Sequence, residues 1–153
     1  MPSPFPLPQP MVRALELARA AEQAGEVPIG AVVARGGTII GEGENRNRRD
    51  NDPTAHAEIV AIRAAAKALG DFRLSGCDLY VTLEPCAMCA GAISHARIDR
   101  LYYGANDPKG GGVEHGARVF AQPQCHHRPE VYGGLGEGEA AALLTNFFAQ
   151  RRI

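Results

Sequence analysis

Tryptophan is absent from the chain, aromatic residues make up only 6%, and cysteine occurs four times in 153 residues. A domain of about 150 residues buries enough surface to fold without disulfides, and in an intracellular protein a tight pair of cysteines is more often a metal or redox site. No apolar run approaches the roughly 20 residues of a membrane-spanning helix, so we expect no membrane partner. The opening residues lack the basic and apolar regions of a signal peptide, which favours a cytoplasmic protein.

A strong excess of either charge is also lacking: Lys and Arg total 16, Asp and Glu total 17, and the net charge is −1. A neutral protein can still carry a local basic patch, so a polyanionic partner is neither required nor excluded. Prolines alternate through residues 1–10, which predicts an extended or disordered N-terminus. Residues 11–153 have the length of a single domain.

Hydrophobic periodicity, caps and turn residues divide the rest of the chain into helices and strands. Helices are predicted over 10–24, 54–69, 85–95 and about 140–148, and strands over 29–34, 38–42, 79–83, 100–104 and 131–133. Strand–helix–strand units favour parallel pairing, so we expect a mixed α/β sheet with helices on both faces. Thr54 is the expected N-cap of the second helix, and Phe147 and Phe148 are both expected to pack the last helix on the core.

Two short motifs bring together imidazole, carboxylate and thiol groups. His56 and Glu58 lie in the segment TAHAE, and Cys86 and Cys89 form a Cys-x-x-Cys pair directly after Pro85. Imidazole and thiolate are natural zinc ligands, and cysteines three residues apart share one face of a helix. His56 with the two cysteines would leave one tetrahedral position for water, which is typical of a catalytic zinc site.

The spacing of His56 and Glu58 restricts where this site can lie. Residues two apart on a helix point about 200° apart, so both can serve one site only beyond the end of the helix. Both residues fall in a predicted first turn, and Cys86 also lies at a predicted helix start. We therefore expect two helix N-termini to point at one metal ion, where their dipoles stabilise thiolate and hydroxide.

The predicted chemistry is proton transfer beside zinc. A bound zinc ion lowers the pKa of a water to about 7, and Glu58 would take that proton and pass it to a leaving amine. The alternative is a structural zinc module with a fourth protein ligand such as Cys125, in which Glu58 has no function. His-x-Glu together with Pro-Cys-x-x-Cys is the signature of zinc-dependent nucleobase deaminases, which favours the catalytic interpretation.

Longer stretches resemble one family in particular. NDPTAHAEI, LYVTLEPCAMCAGAISHARI, LYYGANDPKGG and LLTNFFAQRR are similar to the bacterial tRNA adenosine deaminases of the cytidine/deoxycytidylate deaminase superfamily. The resemblance implies a three-layer α/β/α sandwich around a five-stranded sheet, usually a homodimer. It also implies a zinc-dependent hydrolase with one zinc ion per subunit. This hydrolase converts adenosine to inosine at the wobble position of a tRNA anticodon, so the partner is a tRNA anticodon stem-loop.

The resemblance carries over to individual site residues. His56, Cys86 and Cys89 match the zinc ligands, Glu58 matches the proton shuttle, and Asn45 matches an asparagine near the target nucleoside. These matches define the expected reaction centre.

Further matches imply contacts with the base. Pro28 and Ile29 match positions that line the base pocket, and the backbone N–H of Ala57 would face the reacting water or its adduct. Pro28 and Ile29 are therefore predicted to form the wall of the pocket.

Contacts with the RNA are implied in two later segments. Asp107 and Lys109 match positions beside the anticodon loop, and His127 and Arg128 match residues that could contact phosphate. The chain departs from the family pattern at His126, where many relatives carry asparagine, and an imidazole offers RNA different hydrogen bonds.

Other substrates share the zinc signature. A deaminase of free guanine, cytosine or cytidine would use the same ligands, so the metal motif does not distinguish it. The segment 104–112 and the Phe147-Phe148 ending favour the tRNA enzyme instead. A flipped base costs least when it is already unpaired, so a stem-loop is predicted to be a better substrate than duplex RNA.

Overall fold

The computed structural model describes residues 6–151. The elements in chain order are α1 (Gln9–Gln23), β1 (Gly30–Arg35), β2 (Thr38–Glu44), α2 (Ala57–Leu69), β3 (Cys77–Leu83), α3 (Ala87–Ala96), β4 (Arg100–Ala105), a 3₁₀ turn (Val119–Ala121), β5 (Glu130–Tyr132) and α4 (Glu137–Gln150). Within the described residues, no helix has the length and apolar character needed to cross a membrane.

The five strands form one mixed sheet in the order β2-β1-β3-β4-β5. β1 pairs antiparallel with both β2 and β3, whereas β3, β4 and β5 are mutually parallel. This arrangement brings the end of β2, the start of β1 and the ends of β3 and β4 to the same edge. Four chain segments therefore meet there, and this edge is the place for a site assembled from distant residues.

Helices cover both faces of the sheet. α2 and α3 pack on one face, where Ala61, Ala65 and Ile93 join the larger core. α1 and α4 pack on the other face, where Met11 and Ala140 belong to a second buried cluster. The predicted mixed α/β sheet and the three-layer α/β/α sandwich implied by the resemblance are both confirmed.

Glycines allow α2 to approach β2 closely. A Cβ atom added to Gly43 would overlap the carbonyl oxygen of Ala57 and lie 2.6 Å from the nitrogen of Ala61. A Cβ on Gly41 would lie 2.5 Å from the carbonyl oxygen of Ala61. Because these contacts are with backbone, a side chain at either position would displace the whole helix.

We expect Gly43→Ala to lower the free energy of unfolding by about 1–3 kcal/mol, because forcing an extra carbon into a packed core costs that much. The change in urea midpoint measures the effect. Gly91→Ala is the matched control, since Gly91 lies in α3 with no atom within 4 Å of an added Cβ. Equal stability of the Gly43→Ala and wild-type proteins would show that α2 can shift without cost.

Two helices begin later than the sequence predicts. α2 begins at Ala57 with His56 as N-cap, not with Thr54, because Asp52 Oδ1 accepts the Thr54 N–H (2.8 Å) and hydroxyl (2.7 Å) in a preceding turn. α3 begins at Ala87 with Cys86 as N-cap, not at residue 85. His56 and Cys86 still lie at helix starts, as predicted.

The first helix begins earlier than expected. Gln9 belongs to α1, one residue before the predicted start at residue 10, and Pro10 lies in the first turn as that prediction requires. Proline is compatible with the first turn of a helix because its missing N–H would be unpaired there. Leu7 packs against the buried cluster beneath α1. Residues 1–5 lie outside the described part of the chain, and their predicted disorder stays a prediction.

Candidate active site

A cavity of about 740 Å³ opens at the sheet edge where the four segments meet. His56, Glu58 and Cys86 line it from the starts of α2 and α3. The other walls come from the segment before β1, the loops after β2 and β4, and the C-terminal half of α4. The cavity therefore has the predicted metal-binding motifs on one wall and space for a ligand in front of them.

Three side chains form a compact group able to hold a metal ion. His56 Nδ1 lies 3.5 Å from Cys86 Sγ and 3.4 Å from Cys89 Sγ, and all three ligand atoms lie within 4.8 Å of one another. Zn–N bonds of about 2.0 Å and Zn–S bonds of about 2.3 Å at a tetrahedral angle give an N···S separation of about 3.5 Å. The residues therefore fit a tetrahedral zinc ion.

The group has three protein ligands and leaves a fourth position. Among residues 6–151, no other histidine, cysteine or acidic side chain joins it. Cys125, the candidate fourth ligand of a structural site, instead contacts Ser94 Oγ at 3.4 Å and the carbonyl oxygen of His127 at 3.2 Å. The geometry therefore does not support a structural metal site with four protein ligands.

The electrostatic environment of the two thiols favours the binding of a cation. A hydrogen bond from Cys89 lowers the pKa of Cys86 to about 4 against the opposing effect of burial, and the same bond raises the pKa of Cys89. The hydrogen bond to Cys86 raises the pKa of His56. Cys86 lies at the N-terminus of α3, where the helix dipole also favours a negatively charged thiolate, so the site favours a cation.

Glu58 lies in the first turn of α2, next to the three ligands. Its side chain is only 4% exposed, and burial raises its pKa to about 7. Oε1 of Glu58 is buried without a hydrogen-bond partner among the described residues. A buried polar atom normally has a partner, so the Glu58 carboxylate has an acceptor oxygen that none of the described residues uses.

Asn45 is fixed by the first residue of α2. Its Oδ1 accepts the backbone N–H of Ala57 at 2.8 Å, and its own carbonyl oxygen accepts a hydrogen bond from Arg49 at 2.6 Å. Asn45 is buried and lines the cavity, as its predicted place near the nucleoside requires. The Ala57 N–H already has a protein partner here, and its contact with the reacting water stays a prediction.

Of the two residues predicted to line the base pocket, one lines the cavity and the other does not. Ile29 lines the cavity, whereas Pro28 is buried and is not part of its wall. Val27 lines the cavity instead, because a tight turn in which the Ile29 N–H donates to the Val27 carbonyl puts both side chains at the opening. Alternation along this segment would have favoured Val27 over Pro28.

Asp107 and Lys109 line the cavity from the loop after β4. Asp107 Oδ1 accepts the backbone N–H of Lys109 at 3.3 Å and of Gly110 at 2.9 Å, which folds the loop into a turn. Both side chains are therefore placed where a ligand larger than a base would reach them. Their contact with RNA stays a prediction.

His127 and Arg128 lie away from the cavity wall. The His127 ring contacts the carbonyl oxygen of Ile98 at 2.7 Å, and Arg128 donates to the carbonyl oxygens of Phe120 and Gln122. The structure thus shows both side chains holding the segment after the 3₁₀ turn. Their contact with phosphate stays a prediction.

Sequence reasoning missed the wall contributed by α4. The lining residues from this helix are Ala141, Leu144, Thr145 and Phe148. The expectation that Phe147 and Phe148 both pack on the core is wrong for one of them: Phe147 is 4% exposed, but Phe148 is 50% exposed. Adjacent residues on a helix point about 100° apart, and this was the signal that only one of the pair could be buried.

Comparisons with known proteins agree with this geometry. A family model described as MafB19-like deaminase matches residues 8–152. The tRNA-specific adenosine deaminase of Agrobacterium fabrum is 60% identical over 143 residues, which cover 94% of each chain. A solved structure from work on A-to-I editing by tRNA:A34 deaminases at the wobble position matches with a TM-score of 0.87 and 61% identity. That match covers 88% of this chain and 98% of the other.

A more distant structure has another substrate. The guanine deaminase from Nitrosomonas europaea matches with a TM-score of 0.76 and 28% identity, covering 97% of this chain and 86% of the other. The fold and the His-Cys-Cys group with its neighbouring carboxylate thus define the general class, a nucleobase-type deaminase. The identity across nearly its whole length shows that the chain belongs to the tRNA-specific adenosine deaminase family.

Proposed function

We propose that the chain hydrolyses adenosine to inosine, with release of ammonia, at the wobble position of a tRNA anticodon. One observation carries the proposal: an unpartnered, buried carboxylate oxygen of Glu58 lies beside three converging ligand atoms at the wall of an open cavity. A structural metal site has no use for such a carboxylate. The 60% identity to a tRNA-specific adenosine deaminase supports this choice of substrate.

We propose one zinc ion per chain, held by His56 Nδ1 and the sulfurs of Cys86 and Cys89. When bound, zinc supplies the Lewis acidity that brings the pKa of a water to about 7. The Glu58 carboxylate takes a proton from the attacking water as the water oxygen forms a bond to C6 of adenine, and gives this proton to N1. The second proton of that water then passes through the same carboxyl to the exocyclic nitrogen, so the C6–N bond breaks, the C6=O bond of inosine forms and ammonia leaves.

Other residues that line the cavity orient the base in this proposal. Because Asn45 Oδ1 is occupied by the Ala57 N–H, the amide presents its Nδ2 donor to the cavity. Ile29 and the apolar residues of α4 provide surface for a planar ring. The base is thereby held with its amine toward Glu58.

The size of the cavity supports a ligand larger than a single base. Pockets of about 300–1,000 Å³ hold drug-sized ligands, so a cavity of about 740 Å³ exceeds what a single base needs. Lys109 and Asp107 line its outer part, where nucleotides next to the target would lie. The tRNA partner is part of the proposal, and the homodimer and cytoplasmic location implied by the resemblance stay predictions.

A panel of substrates tests the function. With zinc-loaded protein, we expect inosine in an anticodon stem-loop that carries adenosine at the wobble position. We expect rates at least about 100-fold lower on the same sequence in a duplex, because the base must then be unpaired and unstacked. Free adenosine, guanine, cytosine and cytidine are assayed for ammonia, and a stem-loop with guanosine at the target position is the matched control.

Ammonia from guanine or another free base, together with unchanged stem-loop RNA, would keep the hydrolytic chemistry and overturn the substrate. Because the structure is similar to that of a guanine deaminase, guanine is the most important alternative substrate to test. Equal rates on stem-loop and duplex would contradict the preference for an unpaired base.

A further inference from the structure

Glu84 is a buried carboxylate at the end of β3 that the proposed reaction does not use. The residue is 2% exposed, yet it also reaches the cavity wall. A buried carboxylate is stable only when hydrogen bonds replace the lost water.

The hydrogen bonds come from a single loop, the segment 107–115 after β4. Oε2 of Glu84 accepts the backbone N–H groups of Val113 (3.2 Å), Glu114 (3.0 Å) and His115 (3.1 Å). Oε1 accepts the backbone N–H of Asp107 at 3.1 Å and contacts His115 Nδ1 at 2.7 Å. Both ends of the loop are thus bound to one carboxylate.

The loop wraps around Glu84 without spare room. A Cβ atom added to Gly111 would overlap the Glu84 carboxylate and lie 2.5 Å from the carbonyl oxygen of Asp107. The middle of the loop is held as well, because the Gly112 N–H donates to the Pro85 carbonyl at 2.8 Å. The part of the loop that faces the cavity includes Lys109 and Gly110, and its position follows from these bonds.

We propose that Glu84 is a positioning residue for RNA binding: its carboxylate is the anion around which segment 107–115 folds to form the RNA-facing wall of the cavity. The inference rests on the proposed function for its substrate, since the wall is needed by a ligand larger than a base. Glu84 acts through the loop and not on the reacting atoms. Its loss should weaken substrate binding more than the chemical step.

Glu84→Gln separates these effects because the amide has almost the same shape. One of the two acceptor oxygens becomes an NH₂ group, which faces N–H donors and cannot accept their hydrogen bonds. Hydrogen bonds to a charged group are stronger than neutral ones, so the loop loses a large part of its anchoring. Glu130→Gln is the matched control, since Glu130 is an exposed carboxylate paired with Arg100 at the far end of β4.

Hydrogen exchange of individual amides tests the loop without any assay of activity. We expect the amides of Asp107, Val113, Glu114 and His115 to exchange at least about tenfold faster in Glu84→Gln than in wild type, and no change in Glu130→Gln. Unchanged exchange in Glu84→Gln would overturn the proposal, whatever the substrate of the enzyme proves to be.

Kinetics on the anticodon stem-loop test the consequence for RNA. We expect KM to rise at least about tenfold in Glu84→Gln, kcat to fall less than about threefold, and zinc to stay at one per chain. Loss of zinc, or a fall in kcat with KM unchanged, would overturn the proposal by showing that Glu84 serves the neighbouring Cys86 instead. A wild-type protein that leaves the stem-loop unmodified refutes the proposed function, and the exchange experiment still decides the folding of the loop.

Gly111→Ala changes the loop itself, at the glycine that packs against the Glu84 carboxylate. This variant is used in place of Glu84→Gln if the latter does not fold. The added carbon displaces the loop from the carboxylate, so the same rise in KM is expected. Gly138→Ala is its control, because a Cβ on Gly138 in α4 meets no atom within 4 Å. A KM for Gly111→Ala equal to that of Gly138→Ala would overturn the proposal.

Discussion

A Glu58→Gln protein is expected to keep one zinc ion per chain and to lose about 10²–10⁴-fold in kcat, the usual contribution of a positioned acid–base group. Glutamine fills the same buried volume at the start of α2, so the ligand group beside it keeps its shape. The amide cannot accept a proton from the attacking water or return one to the leaving amine. Single-turnover inosine formation and zinc content, measured on the same sample, separate the proton transfer from metal binding.

Glu16→Gln is the control for Glu58→Gln. Glu16 lies on α1 with its side chain about half exposed and contacts Arg13 at 3.7 Å. We expect wild-type activity from this variant. Full activity of Glu58→Gln with zinc bound would show that another group moves the proton. Loss of zinc from Glu58→Gln would show that the carboxylate supports the metal.

The centre of the site was predictable because local geometry restricts it. His56 and Glu58 are two residues apart, which excludes a site on the side of a regular helix and leaves the N-terminal end. The structure places His56 at the N-cap of α2 and Cys86 at the N-cap of α3. This prediction needed only the spacing of the residues and the pitch of a helix.

The walls of the site depend on contacts that spacing does not reveal. Asn45 reaches the N–H of Ala57 across a loop of eleven residues, and Phe148 meets the cavity only because α4 packs across the ends of β3 and β4. The start of α2 shows the same limit, since the capture of Thr54 by Asp52 moves the N-cap two residues along the chain. Each case is a competition between local preference and an interaction formed only in the fold.

The fold, like the site, combines features that local sequence patterns predict with features that depend on long-range contacts. Alternating strand and helix patterns predict parallel pairing, and β3, β4 and β5 pair that way. β1 lies between β2 and β3, and its antiparallel pairing with β3 is a long-range contact that no local pattern determines. Gly41 and Gly43 could be interpreted in advance only as weak strand residues, whereas the structure shows that they admit the backbone of α2.

Replacing Cys86 or Cys89 by serine is expected to weaken zinc binding by at least about 100-fold. The reason is that a hydroxyl is a far poorer zinc ligand than a thiolate, and even the partners of ligands contribute about 10–100-fold. Zinc per chain after dialysis against a chelator measures the change, and inosine formation should fall in parallel. Cys125→Ser is the control, because Cys125 is a thiol outside the ligand group.

The double variant Cys86→Ser/Cys89→Ser gives the most demanding form of this experiment. His56 would be the only remaining ligand, and a single imidazole cannot hold zinc against a chelator. Zinc that survives in the double variant would require ligands outside the three-residue group, and the geometry of His56, Cys86 and Cys89 would then have another cause. Zinc lost from Cys125→Ser as well would restore the structural four-ligand interpretation. Zinc loss confined to the variants of Cys86 and Cys89 would leave the fourth coordination position to water. A water in that position is what the unpartnered oxygen of Glu58 requires.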